Sequence, residues 1–226
     1  MEITQYRDRI HAGSELAKLL AEYKDKEKTI VLGLPRGGVP VAHTIATELH
    51  LPLDVFLVRK LGVPGHEELA FGAIADGGET VINHEIIEHL NISDEIINSV
   101  IYHQITVLNE RAHLYRKNRK SLSIFGKTII LVDDGLATGS TMEAAIKALR
   151  QQRPEKIVVA VPVAPPESLH RIALLADQTI CPLVPHLFYS VGLWYENFGQ
   201  TSDDEVVNLL EGSNNQNRSD LGGKRI

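Results

Sequence analysis

Asp133 and Asp134 stand together at the end of the apolar run Ile129-Ile130-Leu131-Val132, and the small-residue stretch Gly135 to Thr141 follows them. Two adjacent carboxylates can accept hydrogen bonds from a pair of hydroxyls or share a cation. The stretch after them is suited to the opposite charge. Its glycines let the backbone bend, Thr138, Ser140 and Thr141 add hydroxyl donors, and a helix starting near Ser140 would turn free N–H groups toward an anion. The acids would repel such an anion. Both features serve one ligand only if they touch different parts of it, a phosphate at one end and a diol or a metal at the other. A ribose 5-phosphate has that layout. A capped turn that binds nothing would account for Ser140 and Thr141 but not for Asp133-Asp134.

Arg36 lies between Pro35 and Gly37-Gly38, after the apolar run 28–34. Glycines there let main-chain N–H groups approach a ligand, and an arginine offers a forked, permanent charge suited to phosphate. A tight turn with a solvated arginine is the plainer alternative. Arg59-Lys60 close a second apolar run and open residues 61–68, whose Gly, Pro and charge without periodicity predict a loop. They are either a surface charge pair or, with Arg36, a positive pocket for an anionic substrate. No lysine lies within 133–141, so the Gly-Lys-Ser/Thr loop of nucleotide hydrolases is missing. The stretch His84 to His89 does not have zinc-protease spacing: Glu88 stands where the second histidine belongs, and residues five apart point in different directions on a helix.

The run Ile130 to Thr141 resembles the phosphoribosyl pyrophosphate (PRPP) motif of type I phosphoribosyltransferases at every defining position. The likeness spans roughly residues 28–200 and is nearest to a bacterial group whose acceptor is not established. By that resemblance, Asp133 and Asp134 would hold the ribose hydroxyls, and Ala137, Thr138, Gly139, Ser140 and Thr141 would cradle the 5-phosphate. Arg36, Gly37 and Gly38 would receive pyrophosphate beside a cis Pro35–Arg36 peptide, and Arg59 and Lys60 would sit at the root of a mobile loop, 61–68. Asp133, Asp134, Lys60 and Arg36 would form the catalytic set. Mg²⁺ would arrive on PRPP, without a dedicated protein metal site. The implied reaction moves the 5-phosphoribosyl group to a nitrogenous base and releases pyrophosphate; a PRPP-sensing regulator without transfer is the other reading. The acceptor would lie under an aromatic hood at 183–200, with Phe188 and Trp194 as candidate stacking residues. Those rings would serve equally as core or dimer contacts. No pattern of acids or lysines there assigns a base. Family members are commonly dimers, so a homodimer is implied.

These residues need a scaffold. Short apolar runs at 28–34, 53–58, 127–132, 156–164 and 178–184 alternate with helical patterns, which predicts an α/β fold with a mostly parallel sheet covered on both faces. Residues 69–75 and 79–83, separated by Asp76-Gly77-Gly78, predict a hairpin. Residues 3–24 predict an N-terminal helix, Ser93 caps a long helix reaching about Arg119, and 212–226 is a polar tail expected to be disordered. Residues 1–211 form one expected domain.

The 226 residues suit a single α/β domain, and the net charge of −6 argues against a broad nucleic-acid face or an anionic membrane surface. Cys181 is the only cysteine, so no intrachain disulfide or thiolate zinc cluster can form, as fits a reducing cytosol. The first residues lack the apolar core of a signal peptide, and no apolar run approaches a membrane span. A cytoplasmic location is the expectation.

Overall fold

The chain runs α1 (Arg9–Leu19), β1 (Thr29–Gly33), α2 (Gly38–Leu49), β2 (Leu53–Val55), β3 (Val58–Val63), β4 (His66–Ala75), β5 (Thr80–Ile82), α3 (His84–Leu90), α4 (Asp94–Arg116), β6 (Thr128–Val132), α5 (Ser140–Gln151), β7 (Lys156–Ala160), α6 (Pro166–Ala173), β8 (Gln178–Ile180) and α7 (Asp203–Gly222). This computed structural model describes residues 4–117 and 119–222.

Five strands form a sheet in the order β2-β1-β6-β7-β8, and every pairing in it is parallel. The apolar runs β1, β6 and β7 are buried almost throughout, as strands covered on both faces must be. Their side chains alternate between two cores. Val31, Val132 and Val158 pack with Leu16, Ile45, Leu108 and Val206, beneath α1, α2, α4 and α7. Ile30, Leu131 and Val159 pack with Ile146, Leu149 and Ile172, beneath α5 and α6. Each such side chain contributes about 1.5–3 kcal/mol when taken from water.

The strand order places the site. From β1 the chain passes through α2 to β2 on one side, while β6 lies on the other and leads on to β7. The seam between β1 and β6 is thus the switch point of the sheet, where open α/β sheets bind ligands beyond the strand ends. Gly33 pairs in register with Val132, and the Leu34 amide donates to the Val132 carbonyl at 2.9 Å. The two loops that follow therefore leave the sheet from the same level.

A second, antiparallel sheet, β3-β4-β5, lies beside these loops, with Lys60 of β3 at Ser140. Its β4–β5 turn at Asp76-Gly77-Gly78 is the hairpin the pattern predicts, with φ of 102° and 90° at the two glycines. Residues 61–68 depart from expectation. They belong to a β3–β4 hairpin turning at Pro64-Gly65, not to an unpatterned loop. Register shifts between Leu61 and Val63 break the apolar alternation by which a strand is read. Arg116, at the end of α4, fixes the hairpins to the main sheet. It pairs with Asp54 at 2.9 Å and with Asp76, and donates to the Val55 carbonyl at 2.8 Å.

The N-terminal helix is shorter than predicted. The Asp8 carboxylate accepts from the His11 amide at 2.8 Å and caps α1, while Tyr6 before it pairs with Tyr195 of the hood. The hood, 183–200, has one short 3₁₀ turn at Val191–Trp194. Beyond it, α7 starts with three acids in its first turn and continues to Gly222, through part of the stretch expected to lack structure. Extending a formed helix is far easier than starting one, so poor helix formers can ride on a packed first half. Residues 223–226 of the expected tail lie outside the described residues.

Candidate active site

The strand ends bring Asp133-Asp134 and the Arg36 loop into contact. A Cβ on Gly37 would lie 2.0 Å from Asp134 Oδ2, and one on Gly38 would lie 2.8 Å from Asp133 Cα. Gly37 has helical dihedrals (φ −61°, ψ −31°), so glycine is required there by the close approach and not by backbone freedom. The Pro35–Arg36 peptide is cis.

Asp134 is not a free carboxylate. Arg9 places Nε at 2.9 Å and Nη2 at 2.7 Å from its Oδ2. Both side chains are largely buried, at 12% and 14% exposure, so little solvent screens the pair. The guanidinium is itself held by the Gly199 carbonyl at 2.7 Å and by the Phe198 ring, 4.0 Å beneath it. The Tyr195 hydroxyl donates to the Asp134 carbonyl at 2.6 Å, and burial pushes its pKa up, so it stays a donor. Asp133 Oδ1 accepts the Asp134 amide at 2.9 Å. Burial, and then the neighbouring Asp134 charge, hold the Asp133 carboxyl well above the usual range. Burial also raises Asp134, against the pull of Arg9. Two desolvated acids side by side are relieved by hydroxyl donors or by a cation, and a ribose diol supplies the former.

The stretch after the acids is fastened from outside. The Ala137 carbonyl accepts Ser168 Oγ at 2.7 Å, and the Thr138 carbonyl accepts Arg171 Nη2 at 2.7 Å, both from α6. In a trans peptide the N–H points opposite to the carbonyl, so the amides of Thr138 and Gly139 are turned away from α6. Gly139 has φ 73°, the left-handed region open to glycine, and α5 begins at the next residue with its first N–H groups unpaired by helix geometry. Thr138 Oγ1 and Ser140 Oγ lie 3.2 Å apart at the rim.

The cations gather on the hairpin side. Lys60 Nζ lies 3.5 Å from Ser140 Oγ, bringing β3 to the start of α5. Arg59 Nε donates to Gln104 Oε1 of α4 at 2.8 Å. Both line a cleft of about 740 Å³ together with Pro35, Thr141 and α4. Arg36 opens onto a second cavity of about 390 Å³, beside Arg9, Asp134 and Phe198, and its Nη1 lies 4.0 Å from Asp203 Oδ2. Phe188 and Trp194 stack on each other with centroids 6.4 Å apart, and neither lines this cavity; the ring that does is Phe198. Arg9 is the site residue that sequence reasoning does not find, whereas Phe198 is one of the hood rings it offers for stacking.

A family model described as the phosphoribosyl transferase domain matches residues 64–183, which include the acid pair and the small-residue loop. The chain belongs to the phosphoribosyltransferase family. The Arg36 loop lies before the matched stretch. A Mycobacterium tuberculosis protein named as a candidate phosphoribosyl transferase is 44% identical over 206 residues, covering 91% of this chain and 46% of its own. The chain thus spans about half the length of the curated phosphoribosyltransferase relatives it matches. The bifunctional protein PyrR of Chloroflexus aurantiacus is 36% identical over 129 residues, covering 56% of this chain and 65% of its own. Among solved structures, TT1426 from Thermus thermophilus superposes with a TM-score of 0.82 at 42% identity, covering 91% of this chain and 97% of that one. No helix among the described residues is long and apolar enough to cross a membrane.

Proposed function

We propose that this phosphoribosyltransferase-family chain transfers the 5-phosphoribosyl group of PRPP to a nitrogenous acceptor and releases pyrophosphate. One observation carries the reading. The acid pair, the amide-lined loop before α5 and the Arg36 loop all emerge at the β1–β6 seam, from strand ends in register at Gly33 and Val132. A ligand bridging them needs a diol beside Asp133-Asp134, a phosphate at 137–141 and a second anionic group toward Arg36, and PRPP has all three.

In this reading the protein does little covalent work. The bond from the anomeric carbon to the pyrophosphate oxygen breaks, its electron pair leaving with the oxygen. An acceptor nitrogen lone pair forms the new bond, and a nitrogen-bound proton, where present, passes to solvent. The ribose carries positive charge on the way, which Asp133 and Asp134 stabilise, while Arg36, Arg59 and Lys60 stabilise the charge on the departing group. The β3–β4 hairpin roofs the cleft and limits attack by water. Mg²⁺ would come bound to PRPP, since this ion keeps most of its ligands on substrate oxygens and water, and Asp133 and Asp134 would meet it only through the ribose hydroxyls they hold. When bound, it would neutralise part of the pyrophosphate charge.

The test is pyrophosphate release from Mg-PRPP across a panel of purines, pyrimidines and other nitrogen nucleophiles. Release that depends on one acceptor supports transfer. PRPP binding with no turnover on any acceptor makes the protein a sensor, and no PRPP binding ends the reading.

A further inference from the structure

The 740 Å³ cleft is unequal in charge. Its lining includes Arg59 and Lys60 from β3 and His103, Gln104 and Arg111 from α4, with no carboxylate among the described residues of that lining. Arg111 makes no ion pair among the described residues, although the protein carries excess acid. It faces Arg59 closely enough that, after burial, its charge is the next cause lowering the Arg59 pKa. Arg59 is held by Gln104, whose Oε1 accepts from its Nε at 2.8 Å. Like charges kept together on a partly buried wall are stabilised by an anion between them.

The cleft is continuous with the phosphate loop. Thr141 and Ala144, in the first turns of α5, form one wall, Pro35 forms another, and Lys60 reaches Ser140. We propose that Arg111 of α4 is a pyrophosphate-binding residue, closing with Arg59 and Lys60 on the group that leaves the sugar. Its role in turnover rests on the transfer reading, whereas the binding itself does not. A long helix outside the main sheet thus supplies a charge that neither the acid-pair motif nor the Arg36 loop contains. The planar fork of Arg111 is the reason a lysine would serve poorly.

Calorimetry on the full chain separates the possibilities, with magnesium pyrophosphate and ribose 5-phosphate as probes. For Arg111→Ala, pyrophosphate binding should weaken about 10- to 100-fold, the loss expected for a charged hydrogen bond, and Arg111→Lys should restore only part of it. Ribose 5-phosphate, which lacks the leaving group, should bind both variants within about 2-fold of the unaltered protein, which also shows that they fold. Unchanged pyrophosphate affinity in Arg111→Ala would overturn this assignment while leaving the transfer reading intact. Equal weakening of both ligands would overturn it too, because Arg111 would then act on the fold. Failure of the unaltered protein to bind either ligand would remove both readings.

Discussion

Arg9 and Asp134, 125 residues apart, form the ion pair at the centre of the site, with two guanidinium nitrogens on one carboxylate oxygen. The first helix therefore belongs to the site, and its charge keeps Asp134 available as an acceptor.

Loss of that charge should appear in the pH dependence of binding. The acid pair is raised by burial, and Arg9 opposes the rise at Asp134. A diol binds best to the ionised pair, so PRPP affinity should fall as pH drops through the raised range, and binding should release protons. In Arg9→Ala the Asp134 carboxyl rises further, the fall begins at higher pH, and affinity at neutral pH drops about 10-fold. Calorimetry in buffers of different ionisation enthalpy reads both effects; an acid limb that does not move would refute the role of Arg9.

Asp134→Asn keeps the shape and removes the charge that would stabilise a cationic ribose. Turnover should fall by about 100- to 1000-fold, on the scale of losing one preorganised electrostatic group. Rapid-quench measurement of pyrophosphate release checks it, and release near the original rate would show that the carboxylate is dispensable.

Asp133→Asn should stabilise the protein while impairing it. An acid whose folded pKa lies above its unfolded value is more protonated when folded. Stability is therefore greatest below the unfolded pKa and declines as pH rises toward the folded one. Asn cannot ionise and retains the oxygen that accepts the Asp134 amide, so it removes that decline. At neutral pH the Tm should rise about 2–4 °C, the shift a gain near 1 kcal/mol gives a chain of this length. A scanning calorimetry series from acid to neutral pH should show the two proteins converging at low pH.

Gly37→Ala tests the contact between the two loops. The new methyl would meet Asp134 at 2.0 Å, and overpacking of this kind costs about 1–3 kcal/mol. The same change made on an Asp134→Ala background should cost much less. Denaturant unfolding of the four proteins in the cycle gives the coupling, and additive effects would place the strain elsewhere.

The sequence displays what is local and hides what is distant. The β6 run, its acids and the loop before α5 are contiguous, so composition and periodicity alone reveal the strand, the turn and their chemistry. Arg36 is legible for the same reason, its glycines flanking it in the chain. The β3–β4 hairpin is not, because the register shifts near Gly62 erase the alternation that marks a strand. Arg9 reads as one more charge on an amphipathic helix, and only the packing of α1 against the hood carries it to Asp134. Arg111 is likewise a surface charge by pattern, until α4 is laid across the cleft. Phe198 is one of several hood rings, and nothing in their spacing tells which of them faces the cavity.

The Leu34–Val132 hydrogen bond ties the Arg36 loop and the acid-pair loop to the ends of neighbouring strands, about 4.8 Å apart. The sheet thereby acts as a ruler. In the proposed transfer reading, the distance between the acid pair and the Arg36 loop is set by main-chain hydrogen bonding across the seam, which side-chain substitution barely alters. On that reading, changes in the hood would alter the choice of acceptor while the span allotted to the sugar stays constant.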